Sequence, residues 1–270
     1  MKTRLFTFLA FATALAIVTA SCNQQQEKGS LNTSIASIIP QEEESEESVS
    51  EEGNTADSPA KKITVKIDDS KLSKKNTVNV GDGERNYYKY DNASLGTVTV
   101  TLSDIPETLD DIKNMTLPRG TADIHNTPYL GPALMVCALN QAFRDKEECK
   151  SMLNYVAKRG HDINTGVVDA YPSDWSQLYQ YKSIPSILSY FEGATKQNNW
   201  TPSKPITMKM QLTQYSYTAD EFVIRLLVKS AAKASPQYVE IWMDDTDNDG
   251  KYDYFYPINY INLAHSLGQY

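Results

Sequence analysis

Aspartates recur at alternating positions in the segment Asp245-Thr246-Asp247-Asn248-Asp249-Gly250-Lys251-Tyr252-Asp253. Carboxylates spaced in this way along a tight turn converge on one point, and hard oxygen ligands suit a hard cation. Gly250 supplies the sharp bend, and the Lys251 carbonyl adds a further oxygen. The expectation is a calcium site made by Asp245, Asp247, Asp249, Lys251 and Asp253. The competing account is an acidic hairpin turn in which Asn248 and Gly250 serve the backbone alone. Other chemistry is thinner. His125, His161 and His265 stand at no metal-ligand spacing, and the chain carries no nucleophile elbow, zinc-protease helix or phosphate-binding loop. No catalytic residue can be assigned from the chain alone. Asp169 and Asp174 would form an acid pair only if the fold brought them together.

Cysteine is used sparingly. Cys22 follows the apolar run Leu5 to Val18 and the small residues Ala20 and Ser21, with Lys2 and Arg4 ahead of the run. A basic start, a short apolar stretch and small residues before a cysteine resemble a bacterial lipoprotein signal over residues 1–21, the alternative being an ordinary secretory signal cut near Ala20. Thr19 departs from the usual aliphatic residue three positions before that cysteine. The expectation is acylation at Cys22 and a membrane anchor on the cell envelope, at the periplasmic face or the cell surface. Cys137 and Cys149 remain, too few for a disulfide framework. In an oxidising compartment they can pair, and buried thiols on two apolar helix faces are the plainer alternative.

Residues 22–60 are read as an acidic tether without a fold. Glu42, Glu43, Glu44, Glu46, Glu47, Glu51 and Glu52 cluster there among Ser, Gln and Asn, and large apolar residues are nearly confined to Ile35 to Ile39. Such composition buries too little to offset the entropy of ordering. The chain as a whole carries a formal charge of −8, and much of that acidity sits in the tether. The remainder offers no basic field for nucleic acid.

The elements that must position the acidic segment occupy residues 61–270, read as a single α+β domain. Residues 61–103 contain strands at Ile63 to Ile67 and Thr97 to Leu102, separated by a glycine turn at Gly81-Asp82-Gly83. Residues 104–191 are mainly helical. Asp104 with Glu107 reads as the capping box of a short helix through Leu109 and Ile112. Tyr129 to Arg159 carries two helices with a turn near Arg144, the first starting at Thr127-Pro128 or Gly131-Pro132 and apolar nearly all round, hence central. The second is capped by Asp145 with Glu148 and stopped by Gly160. His161 to Ser183 reads as an ordered loop, and Ile184 to Phe191 as one more short helix. Residues 206–258 hold an antiparallel four-stranded meander whose one face the helical hairpin covers. Val223 and Leu227 suggest that the second of these strands is covered on both faces.

Between helices and sheet lies Ser189 to Pro205, punctuated by Gly193, Asn198, Asn199, Pro202 and Pro205. Tyr190-Phe191-Glu192-Gly193-Ala194-Thr195 with Asn198, Trp200-Thr201-Pro202-Ser203 and Pro205 resembles an uncharacterised bacterial domain family. Ile105-Pro106-Glu107-Thr108-Leu109, Pro132-Ala133-Leu134, Met152-Leu153-Asn154-Tyr155, Val228-Lys229-Ser230 and Ser235-Pro236 extend the likeness from Ser103 onward. The resemblance implies the architecture and supplies no chemistry, and the acidic segment is not part of it. That segment is itself similar to the calcium loops of integrin-type propellers. It also resembles the start of an EF-hand loop, although Tyr256 stands where the closing Glu belongs and strands flank the turn.

Together these features predict a lipid-anchored envelope protein acting as a non-enzymatic binding or structural module. Its partners would be the membrane, through the lipid, and an envelope protein or glycan. An envelope hydrolase acting on glycan or peptide is the competing class. A carbohydrate-binding module is the third, suggested by 17 tyrosines and three tryptophans that could stack on sugars.

Overall fold

A computed structural model of the chain describes residues 59–72, 95–159, 162–180, 185–217, 222–247 and 252–265. The chain divides into Met1–Thr55 and Ala56–Tyr270, and every described residue belongs to the second unit. The signal segment, the tether up to residue 58, the glycine turn at 81–83 and Gly160 lie outside the described residues.

In chain order the elements are β1 (Val65–Leu72), β2 (Gly96–Leu102), α1 (Leu109–Lys113), α2 (Leu130–Leu139), α3 (Lys146–Val156), β3 (Lys158–Arg159) and β4 (Asp162–Gly166). Then follow α4 (Val167–Ala170), α5 (Pro172–Leu178), two 3-10 turns (Pro185–Tyr190 and Lys196–Asn198), β5 (Ile206–Tyr217), β6 (Phe222–Val228), β7 (Gln237–Asp244), β8 (Tyr254–Pro257) and α6 (Ile261–Ala264). Six strands form one antiparallel sheet in the order β1-β2-β5-β6-β7-β8. It is an unbroken meander except that the helical layer is inserted between β2 and β5. The fold is α+β, with the sheet packed on a helical hairpin and two N-terminal strands added at the β5 edge.

Alternation builds the sheet. Val98, Val100 and Leu102 of β2 register with Met210, Met208 and Ile206 of β5, and all six are buried. Ile224, Leu226 and Val228 of β6, then Val239, Ile241 and Met243 of β7, continue the same face. The helical layer meets that face through α2, whose residues are buried from Leu130 to Leu139. A helix apolar on every side has no solvated face to offer, so it lies at the centre of the core. The apolar stripe of α3 (Cys149, Met152, Leu153 and Val156) packs beside it. Truncating one of these large side chains to alanine would cost about 2–5 kcal/mol.

Several expectations are corrected by long-range partners. The first short helix is capped by Thr108, whose hydroxyl accepts from the Asp111 amide, and not by Asp104 with Glu107. Asp145 does cap α3, accepting from the Glu148 amide at 2.9 Å. The Glu148 carboxylate turns away from that cap and accepts from the Leu109 amide of α1. The second long helix ends at Val156, and Lys158 and Arg159 pair with β4 instead of extending it. Residues 162–178, expected as a loop, contain β4, α4 and α5. Asn154 organises this region, since its side chain caps the Val168 amide at 2.8 Å and meets Asp169 at 2.9 Å. The short helix expected at Ile184 to Phe191 is present as a 3-10 helix over Pro185–Tyr190. The outer face of β6 is half-exposed at Leu227 and carries Arg225, which pairs with Glu240 at 2.5 Å and stacks on Tyr238 at 4.8 Å. Among the described residues that face is half-exposed, with Tyr238 open to solvent, and does not form a second core.

Candidate functional site

The acidic turn joins β7 to β8, and the sheet register brings its two ends together. Met243 pairs with Phe255 and Asp244 with Tyr254, while the Asp253 amide donates to the Asp244 carbonyl at 2.8 Å. This closes the hairpin so that Asp253 returns beside Asp245 and Asp247. One carboxylate oxygen from each of Asp245, Asp247 and Asp253 lies within 4.8 Å of the others. Asp247 is exposed and the other two are half-buried. One oxygen of Asp253 accepts from the Thr246 amide at 3.1 Å and the Thr246 hydroxyl at 2.8 Å, which aims the carboxylate back into the turn. Like charges at this separation repel, and a divalent cation would reverse the sign of that interaction. The geometry suits a cation such as calcium. Asp249 and Lys251, the other proposed ligands, lie outside the described residues, as does Cys22.

A neighbouring loop fastens the hairpin to the helical layer. His125 accepts the Phe255 amide through its carbonyl at 2.8 Å, and the Asn126 side chain donates to the Asp253 carbonyl at 3.0 Å. The His125 ring is buried. Its Nδ1 sits 2.7 Å from Asp123 Oδ1, and its Nε2 lies 3.1 Å from each of the Tyr155 and Val156 carbonyls. The ring and amide of His125 hold the Asp123 carboxyl below the usual carboxylate range, against the opposing push of burial. This histidine joins the end of α3, through Nε2, to β8, through its backbone carbonyl, while Nδ1 is taken up by Asp123.

The other candidates are dispersed. Asp169 pairs with Lys150 at 3.1 Å and with Asn154. His161 lies outside the described residues. Cys137 and Cys149 are both buried, free thiols, and burial raises the pKa of each well above the ordinary range. Of the tyrosines on β8, Tyr254 and Tyr256 stack with centroids 6.1 Å apart, but Tyr256 is covered by the His125 ring. Among the described residues no helix is long and apolar enough to cross a membrane.

The Ser189 to Pro205 stretch is a structured loop for identifiable reasons. Gly193 has φ +80°, and a Cβ there would meet Ser203 Oγ at 2.0 Å. The Asn198 side chain accepts from the Thr195 amide at 2.9 Å and donates to the Gly193 and Thr201 carbonyls at 2.7 and 2.9 Å. Glu192 anchors both strands of the loop, donating to the Thr207 carbonyl and accepting from the Ser203 amide. Ser189 shares a buried hydroxyl contact of 2.6 Å with Ser230, and the Tyr190 hydroxyl donates to the Leu263 carbonyl at 2.9 Å. The loop faces the turn after β6 across a cleft of about 480 Å³ lined by Lys196, Trp200 and Lys233. The sequence reading missed these lysines. They are distant in the chain, and no local pattern links them.

The molecule is therefore an α+β domain with a long meander sheet, an inserted helical layer and an aspartate-lined hairpin. It belongs to the family described as Domain of unknown function (DUF6935), whose model matches residues 104–257. The matched span includes the loop at 189–205 and the acidic turn. No curated protein and no solved structure matched the chain.

Proposed function

We propose that this protein is a lipid-anchored, non-enzymatic binding module of the bacterial cell envelope whose last hairpin is stabilised by calcium. The observation that carries the calcium reading is the approach of the Asp245, Asp247 and Asp253 carboxylates to within 4.8 Å. Asp249 and the Lys251 carbonyl complete the ligand set, and acylation of Cys22 supplies the anchor. Placement at the end of β7 and β8 gives the ion a mechanical role. It would hold the edge hairpin closed against α2, which packs on β8.

Without a closing carboxylate at the twelfth position, affinity should be that of extracellular modules, with Kd around 10⁻⁴–10⁻³ M. At ten times that concentration, linkage adds about 1.4 kcal/mol to stability. The test is a thermal melt of the full chain in chelator and then in millimolar calcium, with Asp247→Ala alongside. Calcium should raise the Tm of the parent and leave the variant unmoved, and magnesium should do less because it holds its waters and demands octahedral geometry. A parent Tm indifferent to calcium would reduce the hairpin to an acidic turn. The anchor is tested separately. Cys22→Ser should move the protein from the membrane fraction to the soluble fraction, and a variant that still sediments with membranes is held by something else.

A further inference from the structure

The cleft between the 189–205 loop and the turn after β6 combines three features that ordinary packing does not require. Its volume of about 480 Å³ falls within the range of small-molecule sites. One wall is Thr195, Lys196, Gln197 and Trp200, and the other runs through Ala232 and Lys233. The walls are locked together at their base, where the Ala231 amide donates to the Ser189 carbonyl at 2.9 Å and Ser189 meets Ser230. The cleft is a built feature of the fold.

The second feature is charge. Lys233 is half-buried, its ammonium donates to the Asn262 carbonyl at 3.3 Å, and it lies 5.9 Å from the Tyr190 ring centroid. Neither Lys233 nor Lys196 has a carboxylate partner among the described residues. Desolvation pushes the Lys233 ammonium down to about 8. Burial of a cation is costly unless an anion accompanies it, and among the described residues Lys233 has a carbonyl and a ring face beside it but no carboxylate.

The third is backbone strain. Asn199 and Trp200 both have positive φ, 54° and 58°. Asparagine tolerates this region, but for a bulky residue it is an outlier, and such strain concentrates at ligand-binding positions. The Trp200 amide donates to the Thr195 carbonyl at 2.8 Å, so the left-handed pair turns the chain back on itself and carries the indole to the cleft wall.

We infer that this cleft binds a carboxylated sugar, with Lys233 meeting the carboxylate and Trp200 and Ala232 bounding the ring. Lys233 is the half-buried ammonium of the lining and Lys196 is exposed at the rim, so the cleft does not bring together the several converging donors that a phosphate dianion favours. Thr195 and Gln197 supply hydroxyl-bonding groups beside the indole. The inference rests on the reading of the domain as a binding module and gives that module a ligand class. It is independent of the calcium hairpin.

The experiment is calorimetric titration of the full chain with D-glucuronate, D-glucose and inorganic phosphate. Glucuronate should bind at least about tenfold tighter than its neutral counterpart glucose, the contribution of one charge-assisted hydrogen bond. Lys233→Gln should abolish that preference, and Lys229→Gln, an exposed lysine outside the cleft, should retain it. In the parent, glucuronate affinity should fall as pH rises from neutral through about 9, because Lys233 loses its proton there, and the Lys233→Gln profile should be flat. A purely structural Lys233 would not produce that difference. Should Lys233→Gln not fold, the unmutated chain still answers. Glucuronate, and not glucose, should slow trinitrophenylation of Lys233 as read by peptide mass spectrometry. Equal binding of glucuronate and glucose, tighter binding of phosphate, or an unchanged Lys233→Gln would each overturn the inference. Cleavage of an acidic oligosaccharide would instead overturn the non-enzymatic reading while leaving the ligand class standing.

Discussion

Asp111 carries a carboxylate at 3 % exposure because the backbone surrounds it with donors. Burial pushes this carboxyl up, yet the amides of Glu107, Lys61 and Thr108, at 2.8, 2.6 and 3.1 Å, together with the Thr108 hydroxyl, push it further down. Its folded pKa lies below the ordinary value. The stability it contributes is thus fully present above the unfolded carboxylate pKa of about 3.9 and is lost as pH falls through the folded value. Asp111→Asn should lower stability at neutral pH by about 1–3 kcal/mol and shrink the difference at about pH 3. Urea unfolding at the two pH values checks this. An equal loss at both would mean that shape and not charge is what matters at this position. The Lys61 contact also ties the start of the domain to α1 across 50 residues of sequence.

At the scale of the element, the loop from Ser189 to Pro205 is specified by side chains that serve the backbone. Gly193 is required twice, by its φ of +80° and by Ser203 Oγ, which occupies the place of a Cβ. Gly193→Ala should therefore destabilise by more than about 1 kcal/mol, the cost of strain plus a collision. Gly120 makes the control. Its φ is +89° but nothing lies within 4 Å of its virtual Cβ, so Gly120→Ala should show strain alone. Denaturant melts of the two variants should separate clearly. If they coincide, Ser203 moves aside freely and the loop is looser than its hydrogen bonds suggest.

The whole molecule extends beyond the span that defines its family. β1 and β2 precede residue 104 and α6 follows residue 257, yet Ile63, Val65, Val98, Val100 and Leu102 are at most 3 % exposed, as are Tyr260, Leu263 and Ala264. β2 pairs with β5 along its whole length, from Gly96–Leu212 to Leu102–Ile206. A chain cut to residues 104–257 would expose the β5 edge and uncover Met208, Met210 and Leu212 in the same step. That fragment is expected to aggregate on expression, whereas the chain from Lys61 onward is expected to remain soluble. Recovery of a monodisperse 104–257 fragment would show that the N-terminal strands are dispensable.

The parts of this protein legible in its sequence are those decided by neighbours in the chain. Alternation in Ile206 to Leu212 places successive side chains on opposite faces whatever lies beyond, and the all-apolar run Leu130 to Leu139 can only be buried. The Asp145 cap acts over three residues, and the Asp245 to Asp253 spacing compresses carboxylates into one turn. Contacts between distant residues settled the rest. Thr108 displaced Asp104 as a cap because Asp111 had partners at Lys61 and Glu107. Asn154 organised α4 from a different helix, and Glu148 left its own cap to reach Leu109. Asp253 joined Asp245 and Asp247 through the pairing of β7 with β8. Lys233 and Trp200 line one cleft, at whose base two serines, 41 residues apart, share one buried hydrogen bond. A local pattern is read from short-range sterics and periodicity, whereas these meetings depend on which surfaces the whole chain must bury at once.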